Sequence, residues 1–392
     1  MKILYVYGKA RTKEILVELR KLSYEVIEYE EFQINDVLND DKSAAIGAYA
    51  EKNGITHIMS IGLIYNCAWA SYQTGIKYVA IIWDSPYIRL YTPFGRIESC
   101  YYSVFDKLDY QDFSRVGLPH VMYQPCAVSK SEIVRLYQEN RPGEYYKDDI
   151  SFIGSIYDHN PYDIEAHLFP PEIHSYFAGI FEEAAFKWDG TNRVYGKTSP
   201  EILKYMQMLN TGFIINNPYD ISDEHYFEVL YLMRKISNIE RICVLNLLAE
   251  KHDMAFYTNP NEDRSSLANV RVMPPVGGNE AMRIYAHSKI NLNLSIKGME
   301  GATPQRVMDI TGAGGFAITN YCEETLELFE EDKEIVTYKS PEELLEKVDY
   351  YLVHDEERKK IARAGYEKTL NCYTYDKKLT QLMKWVEGNE KG

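Results

Sequence analysis

None of the six cysteines, at 67, 100, 126, 243, 322 and 372, stands in a CxxC pair. That spacing offers neither a zinc ribbon nor a disulfide framework and fits reduced thiols. The nine histidines form no HxH or HExxH pattern, there is no DxD triplet, and GxSxG and the Walker loop are both missing. A clustered metal site, a serine-hydrolase elbow and a P-loop are therefore not expected. No apolar run approaches the roughly 18 residues of a membrane span. The opening MKILYVYG is too short for a signal peptide, so a cytoplasmic protein is expected. Basic residues are also short in supply, 43 Lys and Arg against 58 Asp and Glu for a net charge of -15. Most of the deficit lies beyond residue 150. Such a surface repels phosphate backbones and anionic lipid, so nucleic acid and membrane are not expected partners.

What remains is ordinary globular material of 392 residues, enough for two domains. Tyrosine is abundant at 34 copies without a repeat and reads as packing and cleft lining. ILYVYG (3–8) is a continuous apolar run ending in glycine, the pattern of a strand buried on both faces. The helical TKEILVELRKL, the strands YEVIEYE, HIMSIG and YVAIIWDSP, and the short VFDK and VMYQPCAV follow, the last two separated by YQDFSRVGLP. QENRPGEYYKDD (138–149) reads as a linker. ISFIGS (150–155) opens a second unit, and strand-free residues 160–235 read as a helical insertion. Alternation then returns with ERICVLNLLAEKH, MAFYTN, VRVMPP, EAMRIYAHS and INLNLS. Alternating strands and helices indicate parallel sheets. The expected fold is α/β, two tandem doubly wound Rossmann-like domains with a ligand in the crevice at their strand ends. The expected boundaries are 1–148 and 149–375, with 376–392 a C-terminal helix packing back on the N-terminal domain.

Residues 301–320, GATPQRVMDITGAGGFAITN, carry the most chemistry. Arg306 and Asp309 fall on one helical face. A guanidinium suits a pyrophosphate, and a carboxylate suits the hydroxyls of a ribose. Gly314 and Gly315 let backbone approach a ligand closely, and GMEGATPQ leads into a helix N-terminus that favours an anion. The same residues also read as a surface ion pair and a helix C-cap.

SKINLNLSIKGMEGATPQRVMDITGAGGFAITNYCEETLELF, with the EIVTYKSPEELLEKVDYYLVHDEERKKIARAGYEK tail, resembles the C-terminal domain of the CgeB-type (spore-maturation protein) glycosyltransferases. These are similar to group 1 sugar-nucleotide transferases of the GT-B fold. WDSP (83–86) and DISFIGSIY (149–157) resemble the N-terminal domain and the interdomain strand of the same group. The resemblance implies a metal-independent transferase, without a cofactor, moving a sugar from a nucleoside diphosphate, UDP foremost, to a protein, glycan or cell-surface acceptor. It places Asp309 at the second Glu of an E-x7-E motif, which holds the donor ribose, Gly314 and Gly315 near the diphosphate, and Arg306 at the family's arginine. The first Glu of the motif would fall at 301, where this chain has Gly301, with Glu300 one place earlier.

Other residues complete the expected site. Asp84 stands at a strand's C-terminal edge, as an acceptor-side base or as a turn cap. Gly154 and Ser155 end the first strand of the second domain, facing the diphosphate or simply turning the chain. Lys297 is a second phosphate cation or a solvated lysine. Tyr257 and Pro275 lie at strand ends where a base would stack, or they only pack. A sugar-nucleotide epimerase of the same fold and a non-catalytic binding subunit are the alternative functions.

Overall fold

The computed structural model describes residues 1–7, 12–29, 37–209 and 211–388; Gly8, the end of the first apolar run, lies outside them. Among the described residues twelve strands form two six-stranded sheets in which every paired neighbour is parallel.

The first sheet holds β1 (Lys2–Val6), β2 (Glu25–Tyr29), β3 (His57–Ile61), β4 (Lys77–Ile81), β5 (Cys100–Val104) and β6 (Val121–Tyr123), in the order β2-β1-β3-β4-β5-β6. The strands that read as continuous apolar runs are central and covered on both faces. All five residues of β3 are buried, as helices on either side of a parallel sheet require. The last helix, Tyr375–Val386, sets Tyr375, Leu379, Leu382, Met383 and Val386 into the same core as Ile3, Tyr5, Val79 and Ile81.

The second sheet holds β7 (Asp148–Ile153), β8 (Met254–Tyr257), β9 (Arg271–Met273), β10 (Ser288–Asn293), β11 (Ala317–Asn320) and β12 (Val336–Tyr338), in the order β12-β11-β10-β7-β8-β9. Strand order reverses between β7 and β10, so that pair is the topological switch point, where open α/β sheets bind ligands beyond the strand ends. Between β7 and β8 the chain runs through helices, among them Pro171–Ala185, Pro200–Met208 and Met233–Ala249. These share a separate aromatic core that includes Phe177, Phe213 and Phe227. The segment 160–235 is accordingly helical, with strand alternation resuming at β8.

The boundaries differ from the expected ones. The first unit comprises Met1–Lys130, Gly301–Thr303 and the chain from Cys372 on; the second comprises Ser131–Glu300 and Pro304–Asn371. The stretch 138–149 had the composition of a linker, but the helix before it belongs to the second unit, with Tyr137 stacked on Tyr366 at 4.0 Å between ring centroids. The segment 110–119, which separates β5 from β6, begins within a helix. β5 ends at Val104, and Asp106 caps the helix Lys107–Arg115, its side chain accepting from Leu108 N and Asp109 N.

Candidate functional site

At the switch point β7 runs out through Gly154 and Ser155. A Cβ on Gly154 would lie 2.8 Å from the Phe152 ring and 3.2 Å from Nη2 of Arg306. A side chain there would displace the Phe152 ring and crowd the guanidinium. Arg306 is the second residue of the helix Gln305–Gly312. Its Nη1 donates to Asn293 Oδ1 at 2.9 Å, and its Cζ sits 5.1 Å from the Phe152 ring centroid. Burial holds its pKa below the usual arginine range, and Arg241 beside it acts in the same direction.

Arg241, in the helix Met233–Ala249, is a second guanidinium at the same edge. It donates to Ser155 O and Leu294 O at 2.5 Å each, and lies 5.4 Å from the Phe152 ring and 4.5 Å from that of Tyr157. Among the described residues no carboxylate pairs with either arginine. Asp309 acts on Arg306 and Glu240 on Arg241 electrostatically, but neither carboxylate makes an ion pair with its arginine, which leaves both guanidiniums able to take an anion. The arrangement suits a ligand with more than one negative charge, presented to planar, multi-donor groups.

The ends of β10 and β11 supply the polar scaffold. Asn293 Nδ2 donates to Ser295 Oγ at 3.0 Å and Thr319 Oγ1 at 2.8 Å, which fixes the amide whose oxygen receives Arg306. Asp309 is buried one turn further along the helix and accepts from Gln305 Nε2 at 3.0 Å. Pro275 is exposed in the loop between β9 and the helix Gly278–Ala286, at the same edge of the sheet.

Several expected site residues lie elsewhere. Gly314 and Gly315 are at the opposite end of the helix from Arg306, because a helix joining two parallel strands carries the chain from one sheet edge to the other. Eight residues span about 12 Å. A Cβ on Gly314 would meet Tyr137 at 2.6 Å and Pro142 at 2.9 Å; one on Gly315 would meet the carbonyl oxygen of Tyr285 at 2.5 Å. Both line a cavity of about 290 Å³ at that far edge and serve close packing there.

Lys297 is not a solvated cation facing the strand ends. Its amine lies 3.5 Å from Glu240 Oε1 and 3.8 Å from the Trp188 ring centroid, and donates to Lys187 O. Burial pushes it down to about 8 against the opposing pull of Glu240. Tyr257 does not offer its ring to a base. It is buried beside Ile284, and its hydroxyl donates to Asp148 Oδ2 at 2.7 Å, in a network with Arg271. Burial and Asp148 raise its pKa.

Glu300 and Gly301 stand at the junction of the two units. The Glu300 carbonyl accepts from Cys322 Sγ. The Gly301 carbonyl accepts from Lys107 N at 3.0 Å, and a Cβ there would lie 2.4 Å from Asp106 Oδ1. No side chain fits at 301 as the loop stands. Asp84 is exposed beyond the end of β4, in the first unit.

Arg241, Asn293 and Asp106 were not singled out from the sequence. Asn291 and Asn293 did leave a signal, two amides at period two on one face of an apolar strand, where an unpaired polar group is costly. Arg241 left none, because one arginine on a long helix normally faces water. Among the described residues no group of three or more His, Cys, Asp or Glu side chains is arranged to hold a metal ion. None of the described helices is long and apolar enough to cross a membrane.

Comparison with known proteins bears on the fold. The Glycosyl transferase-like family model matches residues 241–384, about a third of the chain. Among solved structures, a glycosyltransferase from Rickettsia africae aligns with TM-score 0.56 at 11% identity, over 99% of each chain. Sucrose-phosphate synthase from Thermosynechococcus elongatus aligns with TM-score 0.56 at 8% identity, over 100% of each chain. Anabaena HepE in complex with UDP and glucose aligns with TM-score 0.50 at 11% identity, over 99% of each chain. No curated protein matches the sequence. The fold is GT-B, two Rossmann-like units each built on a six-stranded parallel sheet.

Proposed function

We propose that the protein is a glycosyltransferase that takes a sugar from a nucleoside diphosphate, UDP foremost, and passes it to a protein, glycan or cell-surface acceptor. One observation carries this reading: Arg241 and Arg306 converge on Phe152 at the β7/β10 switch point, and among the described residues neither is held in an ion pair. The similarity to sugar-nucleotide transferases of the CgeB type agrees with it.

As the bond to the anomeric carbon breaks, negative charge grows on the departing diphosphate. Arg306, with an edge directed toward Gly154, opposes that charge. Fixed donors of this kind need no reorganisation during the reaction. Arg241 holds the carbonyls of Ser155 and Leu294 and adds to the positive potential. Asp309 takes the ribose hydroxyls, Pro275 lies toward the base, and the Glu300–Gly301 loop lies toward the sugar. Asp84, on the first unit, orients or deprotonates the acceptor hydroxyl. With two guanidiniums placed to carry the diphosphate, the reaction is expected to run without a metal ion.

The test incubates the protein with UDP-glucose, UDP-galactose and UDP-N-acetylglucosamine, with and without cell extract, and scores free UDP and the sugar. A transferase releases UDP, more so with acceptor present, and still does so in excess EDTA. Conversion of the sugar without UDP release would make the protein an epimerase. Neither change, with UDP still bound, would make it a binding subunit.

A further inference from the structure

The first unit contains a buried carboxyl group that the reading above does not use. Asp106 is 3% exposed, and both its oxygens are engaged. Oδ1 accepts from Leu108 N at 2.8 Å and Asp109 N at 3.3 Å, capping the helix Lys107–Arg115. Oδ2 accepts from Ser85 Oγ at 2.6 Å. Ser85 is the neighbour of Asp84 in the chain. On its other side Asp106 meets Gly301, whose missing side chain would stand 2.4 Å from Oδ1 and 2.6 Å from Leu108 Cγ. The next amide in the helix, Lys107 N, donates to Gly301 O.

Asp106 and the helix start that it caps therefore tie together three elements of the first unit: the turn bearing Asp84, through Oδ2, the helix itself, through Oδ1, and the segment Gly301–Thr303, through Lys107 N. That segment runs straight into Pro304, which caps the helix of Arg306 and Asp309. Close fit explains why the position holds glycine. The site for a side chain at 301 is filled by Asp106 and Leu108.

We propose that Asp106 is a positioning residue for the transfer reaction, holding the Asp84–Ser85 turn through Oδ2 and, through Oδ1, the capped helix start whose Lys107 N donates to the Gly301–Thr303 segment. This rests on the transferase reading given above. Asp106 touches no reacting atom; with both oxygens occupied it acts through Ser85 and through the Lys107 and Leu108 amides. Asp109, whose Oδ2 accepts from Tyr87 N at 3.0 Å, completes the turn from the same helix.

Three variants test this. Asp106→Ala removes both links; Asp106→Asn keeps an acceptor for the cap and a polar group for Ser85; Ser85→Ala breaks one link and leaves the cap whole. Hydrogen exchange over 299–304 and UDP-sugar turnover with extract are measured on folded protein, with UDP affinity by calorimetry. Asp106→Ala is expected to speed exchange and lower kcat roughly 10–100-fold, the scale of a small misplacement, with UDP affinity unchanged. Asp106→Asn should restore most of the rate. Ser85→Ala should lower kcat several-fold without lowering the melting temperature, and it carries the kinetic test if Asp106→Ala does not fold. Wild-type kcat in Ser85→Ala, or an Asn variant as slow as the Ala variant, would overturn the proposal. Unchanged exchange in Asp106→Ala would also overturn it, whatever the enzyme does. A wild-type protein that releases no UDP would sink the transferase reading instead, and the exchange measurement would still decide whether Asp106 holds the segment.

Discussion

Gly154 and Arg306 are in contact across the end of β7: a methyl group on the glycine would come within 3.2 Å of the guanidinium. A side chain at 154 would press on the Phe152 ring at 2.8 Å and crowd the cation lying over it. Gly154→Ala is expected to displace Arg306 and weaken UDP binding about tenfold, or roughly 1.4 kcal/mol, measured by calorimetry. Gly314→Ala is the control at the opposite sheet edge. With φ +75° and Tyr137 2.6 Å from the new methyl, it should cost about 1–3 kcal/mol of stability and leave the UDP affinity of folded protein unchanged.

Arg306→Ala should weaken UDP binding by about 1.5–3 kcal/mol, the range for a charge-assisted hydrogen bond. The melting temperature should barely move, since the lost bond to Asn293 is offset by removal of a desolvated charge. Unaltered UDP affinity would leave the guanidinium a packing element on Phe152.

Asp84→Asn keeps the shape of the side chain and removes its basicity. As an acceptor-side base, Asp84 is expected to be dispensable for UDP binding and needed for transfer, with a loss of roughly 10²–10⁴-fold. As a turn cap it would cost about 1 kcal/mol of stability and leave turnover nearly intact. Steady-state kinetics with thermal melts distinguish the two.

Lys297→Met should leave UDP affinity within about twofold and lower stability by about 3 kcal/mol, because it strands Glu240 in the interior. The pH dependence has a definite sign. Lys297 is pushed down to about 8 in the folded protein, below its value of about 10.4 in the unfolded chain. The unfolded state therefore binds the proton more tightly, and the lysine's contribution to native stability rises as pH increases through that window. The stability advantage of wild type over Lys297→Met should grow from pH 8 to 10.4. A difference that stays flat would mean the amine is not desolvated as its surroundings imply.

The sheets were legible because a parallel strand covered on both faces is mostly apolar, and a continuous run of that kind is visible in ILYV without any tertiary information. The alternation of strand-like runs with helical periodicity specified two doubly wound units. That Arg306 and Asp309 share one helix was legible because three residues of spacing is a purely local relation, whereas their partners, Asn293 and Gln305, come from packing and from the helix itself. Which edge of the sheet each glycine occupies was not local. Gly154 and Gly314 both follow or precede strands in similar contexts, yet one admits Arg306 and the other admits Tyr137. Lys297 looked like a loop cation until the insertion placed Trp188 and Glu240 around it. The partnership of Arg241 with Arg306 joins residues 65 positions apart, and that of Asp106 with Gly301 joins residues 195 apart. Composition and periodicity act over a few residues of backbone and so determine elements. The site depends on which side chains those elements bring within a few ångströms of each other, and only the packed chain decides that.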